Sequence, residues 1–211
     1  MCETTIDAAS LRAVFRRVSA KMTENRDYLI ELDARNGDGD LGISMDAGYR
    51  AVSVYLDSAE EADLGRLFMR CGKVFNEASP SSLGTITALG FMGMAAVLKG
   101  NERVDLAGLV RAMRSGLEMI MKKAGARPGE KTILDSLHPG VQALDDAVQN
   151  GDGVKAAFEK AGAAAAEGSE STRQMRSVHG RAAYYGDKSI GVLDGGSVVG
   201  RLIFEGIAEA L

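Results

Sequence analysis

Tryptophan is absent from this 211-residue chain, proline occurs three times and cysteine twice. Two cysteines, Cys2 and Cys71, cannot build a disulfide framework, and with only two histidines, His138 and His179, the chain lacks the ligand set of a zinc site. Cys71 falls on an apolar helical face, which fits a core residue in a reducing compartment. Few prolines and no Pro/Ser-rich stretch leave no linker, so the length reads as a single domain over residues 1–211. Aromatic residues are only 5% of the chain, so its 45% hydrophobic content must pack a core mostly from Ala, Leu, Met and Val, the mix of packed helices. A basic excess is missing too. The net charge is −4 and no Lys/Arg stripe is present, which excludes a partner held through nucleic-acid phosphates. The most apolar segment, Leu83 to Leu98, is short for a membrane span and is interrupted by Thr85, Thr87 and three glycines. The N-terminus, Met1-Cys2-Glu3-Thr4-Thr5, has no basic region followed by an apolar one. The expectation is a cytoplasmic protein without a membrane partner.

What is present is helical periodicity. Leu11, Val14, Phe15, Val18 and Met22 recur at helical spacing and predict a first helix reaching about Glu31. A second, with Ser44 as its cap, carries Ala47, Val52 and Tyr55; Leu64, Leu67, Phe68, Cys71, Val74 and Phe75 mark a third. Further helices are expected over Leu83–Leu98, from Leu106 to Ile120, over Thr132–Val148, from Val154 to about Met175 and over Ser197–Ala210. No alternating strand pattern and no solenoid period occur. The expected fold is all-α, about eight helices with antiparallel neighbours joined by short loops.

Four breaks between these helices carry chemistry. Asp33-Ala34-Arg35-Asn36-Gly37-Asp38-Gly39-Asp40-Leu41-Gly42 gathers three carboxylates, hard ligands of the kind that Mg²⁺ and Ca²⁺ require, with two glycines that let the backbone turn tightly. An EF-hand does not fit: counted from Asn36, the sixth residue is Leu41 and the twelfth Ala47, where Gly and Glu are needed. A solvated acidic turn that only caps the next helix remains open, as does a calcium-binding helical protein. The second break, Glu77-Ala78-Ser79-Pro80-Ser81-Ser82-Leu83-Gly84-Thr85, opens an apolar helix whose free N–H groups suit phosphate oxygens; an ordinary Ser/Pro helix start is the alternative. The third, Arg127-Pro128-Gly129-Glu130-Lys131-Thr132-Ile133-Leu134-Asp135, reads alone as a helix start with a surface ion pair between Lys131 and Asp135. The fourth is glycine-rich, from His179 to Gly196; there Arg181 could serve as a phosphate fork and Asp194-Gly195-Gly196 could present N–H groups, against the reading of a long surface loop. There is no Walker A sequence, no dinucleotide fingerprint and no Ser-His-Asp arrangement. His138 and His179 read as structural or solvated.

Taken together and in this order, the four segments resemble the L-type, nucleotide-binding subunit or domain of dihydroxyacetone kinases (DhaL). The resemblance runs from about Leu11 to Leu211 and is carried by Gly37-Asp38-Gly39-Asp40, Pro128-Gly129-Glu130-Lys131-Thr132, Gly180-Arg181-Ala182 and Ser189-Ile190-Gly191. It implies an up-and-down barrel of eight antiparallel helices with the nucleotide, ATP or ADP, at one end. It implies Mg²⁺ held by Asp33, Asp38 and Asp40, phosphates met by Leu41, Gly42, Ser44, Ala78 and Ser79, and an adenine end at Thr132 and Ile133. Arg181, Asp194, Gly195 and Gly196 would close over the nucleotide. It also implies a partner: a separate K-type subunit that holds the ketose, and in one family variant a phosphotransferase-system protein that rephosphorylates resident ADP. A homodimer is compatible with it.

The expected activity is phosphoryl transfer to dihydroxyacetone or a related short ketose, in which positioning and charge neutralisation do most of the work. No catalytic base is expected on this chain. Four positions depart from the family pattern: Leu41 stands where histidine is usual, Glu77 and Pro80 replace glycines of the phosphate loop, and Gly195 makes the late turn read Asp-Gly-Gly rather than Asp-Pro-Gly. They motivate an alternative, a catalytically degenerate paralogue acting as a nucleotide-binding or regulatory module.

Overall fold

The computed structural model describes residues 5–211, and Cys2 lies outside them. The chain forms β1 (Ile6–Asp7), α1 (Ala8–Glu24), α2 (Arg26–Asp33), α3 (Leu41–Ser58), α4 (Leu64–Ala78), α5 (Ser82–Leu98), β2 (Arg103–Val104), α6 (Leu106–Ala124), α7 (Leu134–Asn150), α8 (Val154–Ser171) and α9 (Gly195–Ala210), with 3₁₀ turns at Thr172–Gln174 and Arg181–Ser189. The fold is all-α. The strands expected to be absent amount to two residues each, pairing antiparallel with Ile6 opposite Val104 and Asp7 opposite Arg103. They are too short to leave an alternating pattern.

The first helix does not run unbroken to Glu31. It ends at Asn25, whose side chain donates to the carbonyl of Lys21 at 2.9 Å and competes with the helical ladder. α2 then starts afresh and carries Asp33 at its last turn. Elsewhere starts follow the capping rule: Asp7, Asp63, Ser81, Asp105 and Asp194 each accept a hydrogen bond from the N–H three residues on.

Each of α1, α3, α4, α5, α6, α7, α8 and α9 packs on the next, and α9 returns to α1, so eight helices close a ring. Its interior is apolar. Phe15, Phe68, Phe75, Phe91 and Tyr49 meet mostly edge to face with centroids 4.9–6.2 Å apart, an arrangement that aromatic quadrupoles favour. Cys71 is buried, and burial pushes its thiol up to about 12, so it is an inert core residue as expected. No helix among the described residues is long and apolar enough to cross a membrane.

The ring's topology positions the site. In an up-and-down ring every second helix begins at the same end, so the α2–α3, α4–α5, α6–α7 and α8–α9 connections gather there. These are the four segments that the sequence singles out.

Candidate functional site

The four connections wall a cleft of about 810 Å³, within the usual size of a small-molecule site. Its lining comes mostly from the connections and includes three helix beginnings: Leu41 and Ser44 of α3, Ser82, Leu83 and Thr85 of α5, Gly195 and Gly196 of α9. The first N–H groups of a helix have no intrahelical partner, so the cleft suits an anion.

The acidic loop supplies one wall. Asp33 accepts from the N–H of Gly39 at 2.8 Å, and Gly39 takes φ +77°, a left-handed conformation that glycine adopts without strain. Gly37 lies so close that a side chain there would collide with the Asp33 carboxylate. Asp38 pairs with Arg181 at 2.8 Å. Asp40 stands at the N-cap position of α3, yet its side chain makes no capping bond. One oxygen from each of Asp33, Asp38 and Asp40 lies within 4.8 Å of the others. Burial, then the neighbouring charges of Asp38 and Asp33, raise the Asp40 carboxyl above its ordinary range, against the pull of Arg181. The reading of a turn that merely caps a helix is thus corrected: none of the three carboxylates caps α3. Ser44 is no cap either. It sits in the first turn, its hydroxyl 3.3 Å from the Leu41 carbonyl.

Neighbouring walls are hydrogen-bonded to one another. Ser81 caps α5 through Gly84 N–H at 3.0 Å and donates to the Ser44 hydroxyl at 3.3 Å, joining α3 to the α4–α5 loop. His179 meets Glu130 at 2.6 Å, tying the α8–α9 segment to the α6–α7 turn; that bond holds Glu130 below the ordinary carboxylate range. Leu41 comes so close to Gly195 that a Cβ there would lie 2.5 Å from its Cδ2, which shows where a bulkier apolar residue is accommodated at the position usual for histidine.

Of the residues singled out in the sequence, Asp33, Asp38, Asp40, Leu41, Ser44, Thr132, Ile133, Arg181, Asp194, Gly195 and Gly196 all border the cleft. Gly42, Ala78 and Ser79 do not. Gly42 is buried and faces α2, while Ser79 is fully buried under the loop that Pro80 and Ser81 present. The expected surface ion pair of Lys131 and Asp135 is also corrected. Both are buried; Asp135 accepts from the N–H groups of Gly129 and Thr132, and the Lys131 ammonium binds backbone carbonyls. Ser81, Ser82 and Thr85, whose hydroxyls the serine-rich segment offers to phosphate, border the cleft as well, and so do Asn76 and His179, which the sequence did not single out as ligand contacts; Asn76 lies beside the serine-rich segment, the one available signal.

Asp194 caps α9 through Ser197 N–H at 2.6 Å, and burial pushes its carboxyl up to about 7 from an ordinary 3.8. Such an acid keeps its proton in the folded protein where the unfolded chain has lost it. Its contribution therefore turns unfavourable as pH rises from about 4 and is fully unfavourable above 7. Asp194→Asn keeps an acceptor for Ser197. Thermal melts of the ligand-free variant are expected to show a higher midpoint than the parent at pH 8 and no difference at pH 4.

Comparison with known proteins agrees with this geometry. The chain is 31% identical to the ADP-binding subunit DhaL of PEP-dependent dihydroxyacetone kinase 1 from Listeria innocua, over 90% of this chain and 89% of that one. It is 30% identical to L-erythrulose kinase of Pectobacterium atrosepticum over 97% of this chain, though it spans only 34% of that protein. Among solved structures, the dihydroxyacetone kinase from C. freundii in complex with AMP-PNP and Mg²⁺ shares the fold, with a TM-score of 0.77 at 23% identity over 99% of this chain and 35% of that one. The family model for the DAK2 domain matches residues 35–209, a span that contains all the cleft connections but Asp33 and the end of α2, and so the chain belongs to the DAK2-domain family, as a DhaL-type member.

Proposed function

We propose that this chain is the nucleotide-holding subunit of a short-chain ketose kinase, binding Mg²⁺ with ATP or ADP in the cleft and passing a phosphoryl group to a ketose held by a separate K-type subunit. The observation that carries the reading is the trio of Asp33, Asp38 and Asp40, unspent on capping and facing a cleft lined by helix N-termini. The donor set fits the ion. At about 2.1 Å per bond, opposite oxygens around one Mg²⁺ lie ~4.2 Å apart, so small side-chain shifts close the present spacing. Magnesium bound there would neutralise charge on the phosphate oxygens.

The chain's own residues do the rest. Arg181, whose guanidinium rests on Asp38, stands in for a cation and is released towards phosphate when a metal takes the carboxylate. N–H groups at the starts of α5 and α9 receive phosphate oxygens, and Thr132 and Ile133, which also border the cleft, meet the adenine. A general base on this chain is unnecessary, since phosphoryl transfer depends mainly on positioning and electrostatics. The relatives named for dihydroxyacetone and for L-erythrulose support an acceptor of three or four carbons. The PEP-dependent relative supports the variant in which ADP stays bound and a phosphotransferase-system protein recharges it.

Calorimetry with ADP and ATP, with and without Mg²⁺, tests the reading. Magnesium-dependent binding is expected, and its absence for both nucleotides overturns the proposal. Chromatography of nucleotide released from the purified protein separates the variants: retained ADP indicates a resident cofactor.

A further inference from the structure

The buried Lys131 has no role in the chemistry above, and its surroundings are unusual for a lysine. The residue is 4% exposed, and its ammonium makes no hydrogen bond to a carboxylate. It donates instead to four backbone carbonyls: Thr172 at 2.7 Å, Met175 at 3.2 Å, Ser189 at 2.7 Å and Val192 at 2.6 Å. Three protons shared among four inward-turned oxygens resemble the carbonyl cage of a monovalent cation, in which backbone dipoles replace the hydration shell. Lys131 is also the one non-glycine residue with positive φ among the described residues, at +60°. Such a conformation persists only where its surroundings hold it, and here Asp135 fixes the N–H groups of Gly129 and Thr132 on either side.

All four carbonyls belong to the segment between α8 and α9. Met175 and Ser189 stand at the two feet of an excursion that carries Ser177, His179, Gly180, Arg181 and Ala182 to the cleft, and Val192 lies two residues before Asp194. Neutral hydrogen bonds stitch the same base: Ser177 N–H to the Ser189 hydroxyl at 2.9 Å, Gly191 N–H to the Arg173 carbonyl at 2.7 Å, and Asp194 N–H to the Thr172 hydroxyl at 3.1 Å. Among the described residues, only the ammonium joins both feet to the α6–α7 turn. Without it four carbonyls would face one another with no donor, a cost that loosening of the segment or entry of a cation would relieve.

We infer that Lys131 is a built-in monovalent cation, a positioning residue that holds the 172–192 segment in the shape that presents His179, Arg181 and Asp194 to the cleft. The link to nucleotide affinity rests on the function proposed above; the cation cage does not. Two full-length variants test it. Lys131→Ala empties the cage, and Lys131→Met fills the channel with an uncharged chain of similar length. Each is compared with the parent in equal concentrations of potassium, ammonium, methylammonium or tetramethylammonium chloride. Thermal midpoint, amide hydrogen exchange over 175–191 and Mg·ADP affinity are measured.

In tetramethylammonium, Lys131→Ala is expected to exchange faster over 175–191 and to bind Mg·ADP about 10-fold or more weakly, as when an outer support of a metal site is lost. Potassium, ammonium and methylammonium ions restore the midpoint, the slow exchange and the affinity; tetramethylammonium is too large to do so. Lys131→Met stays loose in every salt, and the parent is indifferent to the cation. Parent-like exchange in both variants overturns the positioning role. Loosening of Lys131→Ala that no small cation reverses overturns the cage. A parent that binds no nucleotide overturns the function proposed above while exchange and midpoint still decide the cage. If Lys131→Ala folds only in potassium or ammonium salts, the cage is supported; if it folds in none of the salts, the rescue claim fails.

Discussion

Replacing Asp38 by alanine is expected to abolish magnesium-dependent nucleotide binding while leaving the helical ring intact. Asp38 offers one of three clustered carboxylate oxygens and is an exposed residue in a loop, so no core packing depends on it. Loss of an outer-shell partner of a metal site typically costs 10–100-fold in affinity, so loss of a direct ligand is expected to cost more than about 100-fold. The ligand-free protein should behave oppositely. Asp38 also pairs with Arg181, but exposed pairs contribute only about 0–1 kcal/mol, and removing one of three like charges relieves the repulsion that raises Asp40. The expected result is an unchanged or slightly raised melting temperature without ligand, and loss of the rise that Mg·ADP gives the parent. Calorimetry and thermal melts on the same preparation measure both. Normal Mg·ADP binding by the variant would remove the metal assignment.

Gly42→Ala is expected to damage both stability and binding, by a route that involves no ligand contact. A Cβ at Gly42 would lie 2.1 Å from the carbonyl oxygen of Arg26 and 2.9 Å from Ile30 Cγ1, on the facing helix α2. Backbone cannot yield as a flexible side-chain tip can, so α2 must move away from α3. Overpacking of this kind costs about 1–3 kcal/mol, occasionally more. Because α2 ends at Asp33 while α3 begins beside Asp40, the same displacement pulls the carboxylate trio apart. Gly162→Ala is the control: nothing lies within 4 Å of that position inside α8, and removing a mid-helix glycine should stabilise by up to about 1 kcal/mol. Urea unfolding of the two variants should give shifts of opposite sign. Full stability in Gly42→Ala would contradict the close approach of α2 and α3.

Much of this was legible in the sequence because the signals are local. Periodic apolar residues such as Leu64, Leu67, Phe68 and Cys71 mark the inner face of α4, and the acidic loop announces itself by composition. The gathering of four breaks at one end follows from a ring of helices with short connections. What escaped depends on partners distant in sequence. Lys131 and Asp135 sit four apart, the spacing of a helical ion pair, but the ammonium finds carbonyls 41 and 61 residues downstream. A glycine such as Gly42 reads the same whether it opens towards a ligand or towards a neighbouring helix, and only the packing of α2 decides. The break at Asn25 arises from one side-chain bond that periodicity does not register.

The return of α9 onto α1 has a kinetic consequence. Most other contacts around the ring join helices that are neighbours in sequence, so they can form early at small entropic cost. The α1–α9 seam, flanked by smaller contacts of α2 and α3 with α9, joins the two ends of the chain, with Arg17 and Lys21 reaching Glu209 across it. The cleft takes its walls from connections spaced around the whole circumference, so it is complete only once that seam has shut. On the function proposed above, nucleotide would act as a latch: by binding only the closed ring, it would oppose the reopening of that seam.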